Sequence, residues 1–371
     1  MKSLHADGLR GLAALNVVTS HFMAAFTPFL MHYNYPETFP AGQMSTFSTI
    51  LNLPIFTILY NGHFAVLIFF VLSGYVLARP YYLDKSHSLK NRLWGRYLRL
   101  NLPIAASLLI SFFLYSTISY FNKEAALQMG GNLWLSNAFP NGIDVFQFIK
   151  YALYASLLFG ANDLNGPLWT LKIEFIGSVL LLGYYIVKPN KHDLITSLIA
   201  SLFLVAIFKA ESIYFISILT GAYLNSFSKP RKPILFLIGI IGLYFGCFGF
   251  GSYLYDFLPE VGIWQRKDFY NTIGALLLVF AVINGFCSFI FTNILSQFLG
   301  KISFSIYLLH MLVLGSIVSY FYTFIPKSLS YLTLLFITYL FISIAVSVIF
   351  ERYIDRSSIK ASKVFSNWIN K

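Results

Sequence analysis

Apolar runs of membrane length recur from one end of the chain to the other. A helix crossing a bilayer needs about 20 mainly apolar residues. The pattern predicts ten such segments: residues 9–30, 63–79, 100–121, 168–187, 194–208, 212–226, 233–251, 270–290, 299–321 and 330–350. The fifth and sixth are short, and a re-entrant pair is the alternative reading of them. Two connecting stretches are long. Residues 31–62 carry no Lys or Arg, and residues 122–167 hold Trp134, Phe139, Pro140 and the pattern of an interfacial helix near 146–159. Long ordered loops often carry function. No internal repeat, low-complexity tract or soluble domain interrupts the series. The predicted fold is therefore an all-α, polytopic membrane helical bundle of about ten spans, occupying residues 1–371 as a single domain.

Composition agrees with that pattern. Of 371 residues, 57% are hydrophobic and 11% charged, against about 25% charged in ordinary soluble domains. So little charge cannot cover a water-facing surface, which excludes cytosolic globular domains, disordered tails and disulfide scaffolds. A net charge of +12 would raise nucleic acid as a partner for a soluble chain. Its placement gives another reason for it. With the N-terminus inside, 19 of the 26 Lys and Arg fall on inner segments, Lys2, Lys85, Lys188, Lys191 and Lys371 among them, and seven on outer ones. The positive-inside rule then predicts two cytoplasmic termini and needs no nucleic acid. No A-x-A-like site follows the first apolar run, so that run is read as a retained span. Cys247 and Cys287 lie in apolar runs and read as small buried hydrophobes. No CxxC or Cys/His cluster points to a metal.

Ionisable groups inside spans are costly and usually functional. His21 follows Arg10 by eleven residues, about 16 Å along a helix and within about 20° of the same face. One stripe of the first span thus presents a cation at one surface and an imidazole near the midplane, with Asp7 spaced to hold the guanidinium. His310, nine residues after Lys301, reaches middle depth on the ninth span, and Glu174 enters the fourth about six residues in. A carboxylate beside an imidazole would suit a general base, but spacing alone does not bring Glu174 to His21. Each of these also has a plain reading as a hydrogen bond between helices. Lys172 points away from Glu174. His63, at the end of the second span, suits a headgroup contact as well as chemistry. Arg92, Arg96 and Arg99, in NRLWGRYLRL, share one helical face. Such a row can bind phosphates or anchor the chain on anionic lipid, and on the residues alone the anchor is favoured.

Five separated motifs then point one way: DGLRGLAALNVVTSHF (7–22), FFVLSGYVLARP (69–80), RYLRLNLP (96–103), GPLWTLKIEF (166–175) and FLGKISFSIYLLH (298–310). In this order and at these separations, over nearly the whole chain, they resemble the acyltransferase-3 family, membrane enzymes that O-acylate sugars. The resemblance implies a donor, usually acetyl-CoA, bound from the cytoplasm. It implies as acceptor a hydroxyl of a cell-envelope glycan, such as O-antigen, exopolysaccharide or peptidoglycan. No permanently bound cofactor and no metal are expected. Arg10 and His21 match the essential pair, His21 as base. Glu174 matches the acid of W-x-L-x-x-E, and Arg92, Arg96 and Arg99 match the basic inner row, which reverses the anchor reading. Ser73 and Gly74 match an S-G pair whose role can be close helix packing. Some relatives carry a fused extracytoplasmic hydrolase-like domain. None is expected here, so the chain would act alone or hand its product on.

The expected reaction is acyl transfer with His21 as base, His310 or Glu174 orienting it or the acceptor, and the arginine row holding the donor's pyrophosphate. Direct transfer is preferred over an acyl-enzyme route, since no Ser–His spacing favours the latter. Trp134 or Trp169 could stack on a sugar ring, or simply anchor at the interface. The expected location is the bacterial inner membrane, in contact with lipid. A transporter or flippase for a lipid-linked sugar is the rival. No paired broken spans in two equivalent halves support it.

Overall fold

The computed structural model describes residues 3–39, 42, 46–83, 87–139, 142–187, 194–250 and 252–369. Lys2, Lys85, Pro140, Lys188, Lys191 and Lys371 lie outside the described residues. The main elements are α1 (Leu4–Phe26), α2 (Gly62–Tyr82), α3 (His87–Ser116), α4 (Trp169–Val187), α5 (Leu194–Phe208), α6 (Ser212–Tyr223), α7 (Lys232–Gly246), α8 (Arg266–Ile283), α9 (Ile294–Val313), α10 (Leu329–Phe350) and α11 (Arg356–Ile369). No strand occurs among the described residues, so the fold is all-α.

Each of the ten predicted segments coincides with one helix from α1 to α10; the fifth matches α5 end to end and the others have shifted ends. Local chemistry sets those ends. Ser3 caps α1 by accepting from the Ala6 N–H, satisfying one of the orphan donors of a helix start. The eighth segment stops at Ile283 because Gly285 takes φ +106° and Cys287 φ +44°, conformations a continuing right-handed helix excludes.

Among the described residues, six stretches are long and apolar enough to cross a membrane by length and composition: 62–82, 89–116, 166–187, 196–226, 294–322 and 329–369. Contacts resolve two of these further. Lys209, at φ +48°, turns the chain between α5 and α6. The Tyr184 hydroxyl lies 2.9 Å from Thr196 Oγ1 and 3.1 Å from the Tyr223 hydroxyl. The start of α5 therefore sits beside the end of α6, and 196–226 is a hairpin of two short legs. The stretch 329–369 is α10 followed by α11, whose Ser362 packs on Gly95 while Asp355 and Ser358 meet Arg99. Its polar half thus runs antiparallel along the basic part of α3. The first helix is absent from the six because Asp7, Arg10, Asn16 and His21 dilute its apolar length.

Large apolar side chains point outward all around the bundle, Phe113, Leu198, Phe203, Phe236 and Phe341 among them. Lipid, as apolar as they are, is their natural neighbour. Inside, small residues let backbones touch. A Cβ on Gly300 would lie 2.2 Å from the Asp7 carbonyl oxygen, and one on Gly11 would lie 2.4 Å from the Gly300 nitrogen. Those glycines fix how closely α1 crosses α9. A Cβ on Gly74 would lie 1.8 Å from the Ile218 carbonyl oxygen, so Gly74 lets α2 pack closely on α6.

Candidate active site

Two cavities enter the bundle from opposite ends of α1. The first, about 870 Å³, is lined by Arg10, Arg92, Arg96, Arg99, Lys301 and Lys363, with Glu174, Glu351 and Asp355 as its carboxylates. Among the described residues, six cations against three anions leave it positive, and low-dielectric walls focus that field on an anionic ligand. The second, about 570 Å³, is lined by His21, His63, Trp134, Trp169, Asn162 and Asp163, among others. The eleven-residue stripe on α1 thus places Arg10 in the basic cavity and His21 in the other.

The histidine cavity holds the pair that spacing could not establish. His310 Nε2 lies 2.9 Å from His21 Nδ1, and His310 Nδ1 lies 2.9 Å from the Ile306 carbonyl oxygen. A carbonyl only accepts, so Nδ1 of neutral His310 carries its proton and Nε2 is the acceptor. His21 Nδ1–H then donates to it, which leaves the lone pair of His21 on Nε2. His310 is fully buried, whereas the His21 ring lines the cavity. Such an arrangement fixes one imidazole as a proton acceptor and holds its tautomer with the other, the geometry a general base needs. Trp134 stacks on His21 with ring centroids 5.8 Å apart and planes 15° off parallel. Its loop is tied down by Asn132, which donates to the carbonyls of Ala24 and Ala25 at the end of α1.

Glu174 does not orient His21. It lines the basic cavity, where Oε1 accepts from the Ser73 hydroxyl (2.9 Å) and pairs with Arg96. Of the two alternatives for orienting His21, the geometry brings His310 and not Glu174 to it, because Glu174 faces α2 and α3 at the other end of the bundle. Ser73 is likewise a partner of Glu174. Arg96 also donates to Ser178 Oγ at 2.7 Å, and Arg99 to Asp355 at 2.5 Å and Ser358 at 3.0 Å. Two of the three arginines are therefore held in ion pairs. Among the described residues Arg92 donates only to the Val76 carbonyl, and it is the member of the row most open to a ligand. Arg10 keeps Asp7 at 3.8 Å, as its spacing suggested.

Other expectations resolve by geometry. His63 is no headgroup contact, since its Nε2 lies 2.8 Å from Asp268 and its ring lines the histidine cavity. Lys172 pairs with Glu211 at 2.9 Å, away from Glu174. Four features escaped the sequence. Asp355, within ERYID after the last span, pairs with Arg99. Asp268 holds His63. Lys267 is 3% exposed, donates to Asn34 and sits 3.7 Å above the Tyr35 ring. Burial, with Asp268 next, raises the Tyr35 phenol pKa, so that ring stays neutral beneath the Lys267 amine. Tyr307, one turn before His310, lines both cavities. Its position i−3 to an intramembrane histidine was the one signal available in the sequence.

The chain is 27% identical over 216 residues to the O-acetyltransferase PaAT-1 of Phomopsis amygdali, a match covering 49% of this chain and 41% of that relative. The matched part is thus less than half of the relative's length. No solved structure matches. The profile of the acyltransferase-3 family, described as an acyltransferase domain, matches residues 5–352, and the chain belongs to that family.

Proposed function

We propose that this protein is a membrane O-acyltransferase that moves an acetyl group from acetyl-CoA, bound in the basic cavity, to a sugar hydroxyl bound in the histidine cavity. The observation that carries this reading is the placement of Arg10 and His21 on one helix in two opposed cavities, with His21 held by His310 at 2.9 Å. The acceptor oxygen attacks the thioester carbonyl, forming the C–O bond as the C–S bond breaks. His21 Nε2 takes the hydroxyl proton and returns it to the departing thiolate, releasing free thiol. A base so placed is worth about 10²–10⁴ in rate. The cations around Arg92 and Arg10 hold the donor's phosphates, and Trp134 and Trp169 offer faces to a pyranose ring. The proposed acceptor is a cell-envelope polysaccharide, with the basic cavity on the cytoplasmic side of a bacterial inner membrane.

Arg92→Ala should raise KM for acetyl-CoA by about tenfold with kcat little changed, because a charge-assisted phosphate contact is worth about 1.5 kcal/mol and this one is far from the reacting atoms. Steady-state kinetics at low salt checks it. An unchanged KM would remove Arg92 from the donor site.

Two cavities that open at opposite ends also suit a carrier of a lipid-linked sugar, the rival reading. Purified protein in lipid nanodiscs, given labelled acetyl-CoA and envelope glycan, separates the two. Covalent label on the glycan supports the transferase. Its absence, with sugar-lipid movement in vesicles, supports the carrier.

A further inference from the structure

Val66 and Tyr307 are the described residues that line both cavities, so the partition between them is one side chain thick. Tyr307 is 7% exposed. Its hydroxyl lies 2.6 Å from Thr170 Oγ1 and 3.2 Å from the Pro167 carbonyl oxygen. Thr170 lines the basic cavity and Pro167 the histidine cavity, which puts this clasp on the boundary itself. Phe69 packs edge-on against the Tyr307 ring with centroids 5.8 Å apart. The far side of the clasp is rigid: Asn165 donates to the Leu308 carbonyl at 2.8 Å and Asn162 to the Gly166 carbonyl at 3.0 Å. The movable part is thus the Tyr307 side chain, held by hydroxyl contacts and by the rings of Phe69 and His310.

We infer that Tyr307 is a gate between the two cavities, a positioning residue that must swing away from Thr170 before a thioester arm reaches His21. This rests on the proposed reaction for its purpose, though the partition is a property of the fold. Closed, it keeps water of the histidine cavity from the thioester. Water attack there would break the same C–S bond and yield acetate and free thiol with no glycan modified. Because Tyr307 and His310 are one helical turn apart on α9, with ring centroids at 6.0 Å, the gate and the base pair share one rigid support.

The test reads passage directly. In a Cys247→Ala, Cys287→Ala background, Ser20→Cys places a thiol in the histidine cavity. A negatively charged methanethiosulfonate is applied to sealed vesicles from the arginine-lined face only. Tyr307→Phe and Thr170→Val, which keep the shape and remove one hydroxyl each, should speed labelling about fivefold, the equivalent of one hydrogen bond. Tyr307→Ala should speed it further and raise acceptor-independent hydrolysis of acetyl-CoA. Labelling from the opposite face should not change. Unchanged labelling from the arginine face in all three variants overturns the gate, even if glycan acetylation proceeds. Faster labelling in a protein that transfers no acetyl group supports the gate and counts against the transferase reading.

Discussion

His21→Ala membranes should transfer labelled acetyl groups to glycan about 10²–10⁴-fold more slowly than wild type, the contribution of one well-placed general base. The amount of folded protein should hold, because the substitution empties a cavity wall and leaves the packed crossing of α1 and α9 intact. His310→Ala should cost less. It removes the group that fixes the His21 tautomer, while His21 Nε2 remains able to take a proton. The order of the two effects is the informative part. If His310→Ala were the more damaging, the assignment of base and orienting partner drawn from the Ile306 carbonyl contact would have to be reversed. Equal wild-type rates in both variants would remove the pair from the chemistry.

Gly300→Val should reduce transfer by about 10²-fold without touching a polar group of the site. Its Cβ would fall 2.2 Å from the Asp7 carbonyl oxygen, so α1 must move off α9 by about 1 Å, and a displacement of that size near a reacting centre costs about 10²-fold. The two helices carry His21 and His310, whose contact at 2.9 Å cannot survive the shift. The same crowding should lower thermal stability by about 1–3 kcal/mol, as overpacking does. Gly183→Ala is the control, since nothing lies within 4 Å of a Cβ there. It should leave both rate and stability near wild type. A Gly300→Val protein with full activity would show that the crossing does not set the histidine geometry.

What the sequence makes legible follows from periodicity and burial cost. Ten apolar segments were readable because a bilayer demands length, and each coincides with a helix. The Arg10–His21 stripe was readable because both lie on one helix, where spacing is geometry. Partners on different helices were not. Glu174 was a plausible mate for His21 by depth, yet it turns to Arg96 and Ser73, and His310 takes that place. The row Arg92, Arg96, Arg99 was visible, but the pairing of Arg96 with Glu174 and of Arg99 with Asp355 depends on how α4 and the turn before α11 pack against α3. Tyr307 escaped because its spacing to His310 says nothing of a partition until two cavities are seen to meet at it. The break at Lys209 falls where the sequence put it, between 208 and 212, but the eighth helix ended early where Gly285 and Cys287 adopt positive φ, and for Cys287 no periodicity announces that.

The central claim is that the acyl group enters by the arginine-lined cavity and leaves on a hydroxyl in the histidine cavity at the other end of α1. Sealed vesicles holding glycan acceptor inside, with the histidine cavity facing the lumen, test it when acetyl-CoA labelled in its acetyl group is added outside only. The account predicts labelled ester on the enclosed glycan with wild-type protein, and at least about 10²-fold less with His21→Ala. Label appearing only when acetyl-CoA is placed on the same side as the glycan would contradict it.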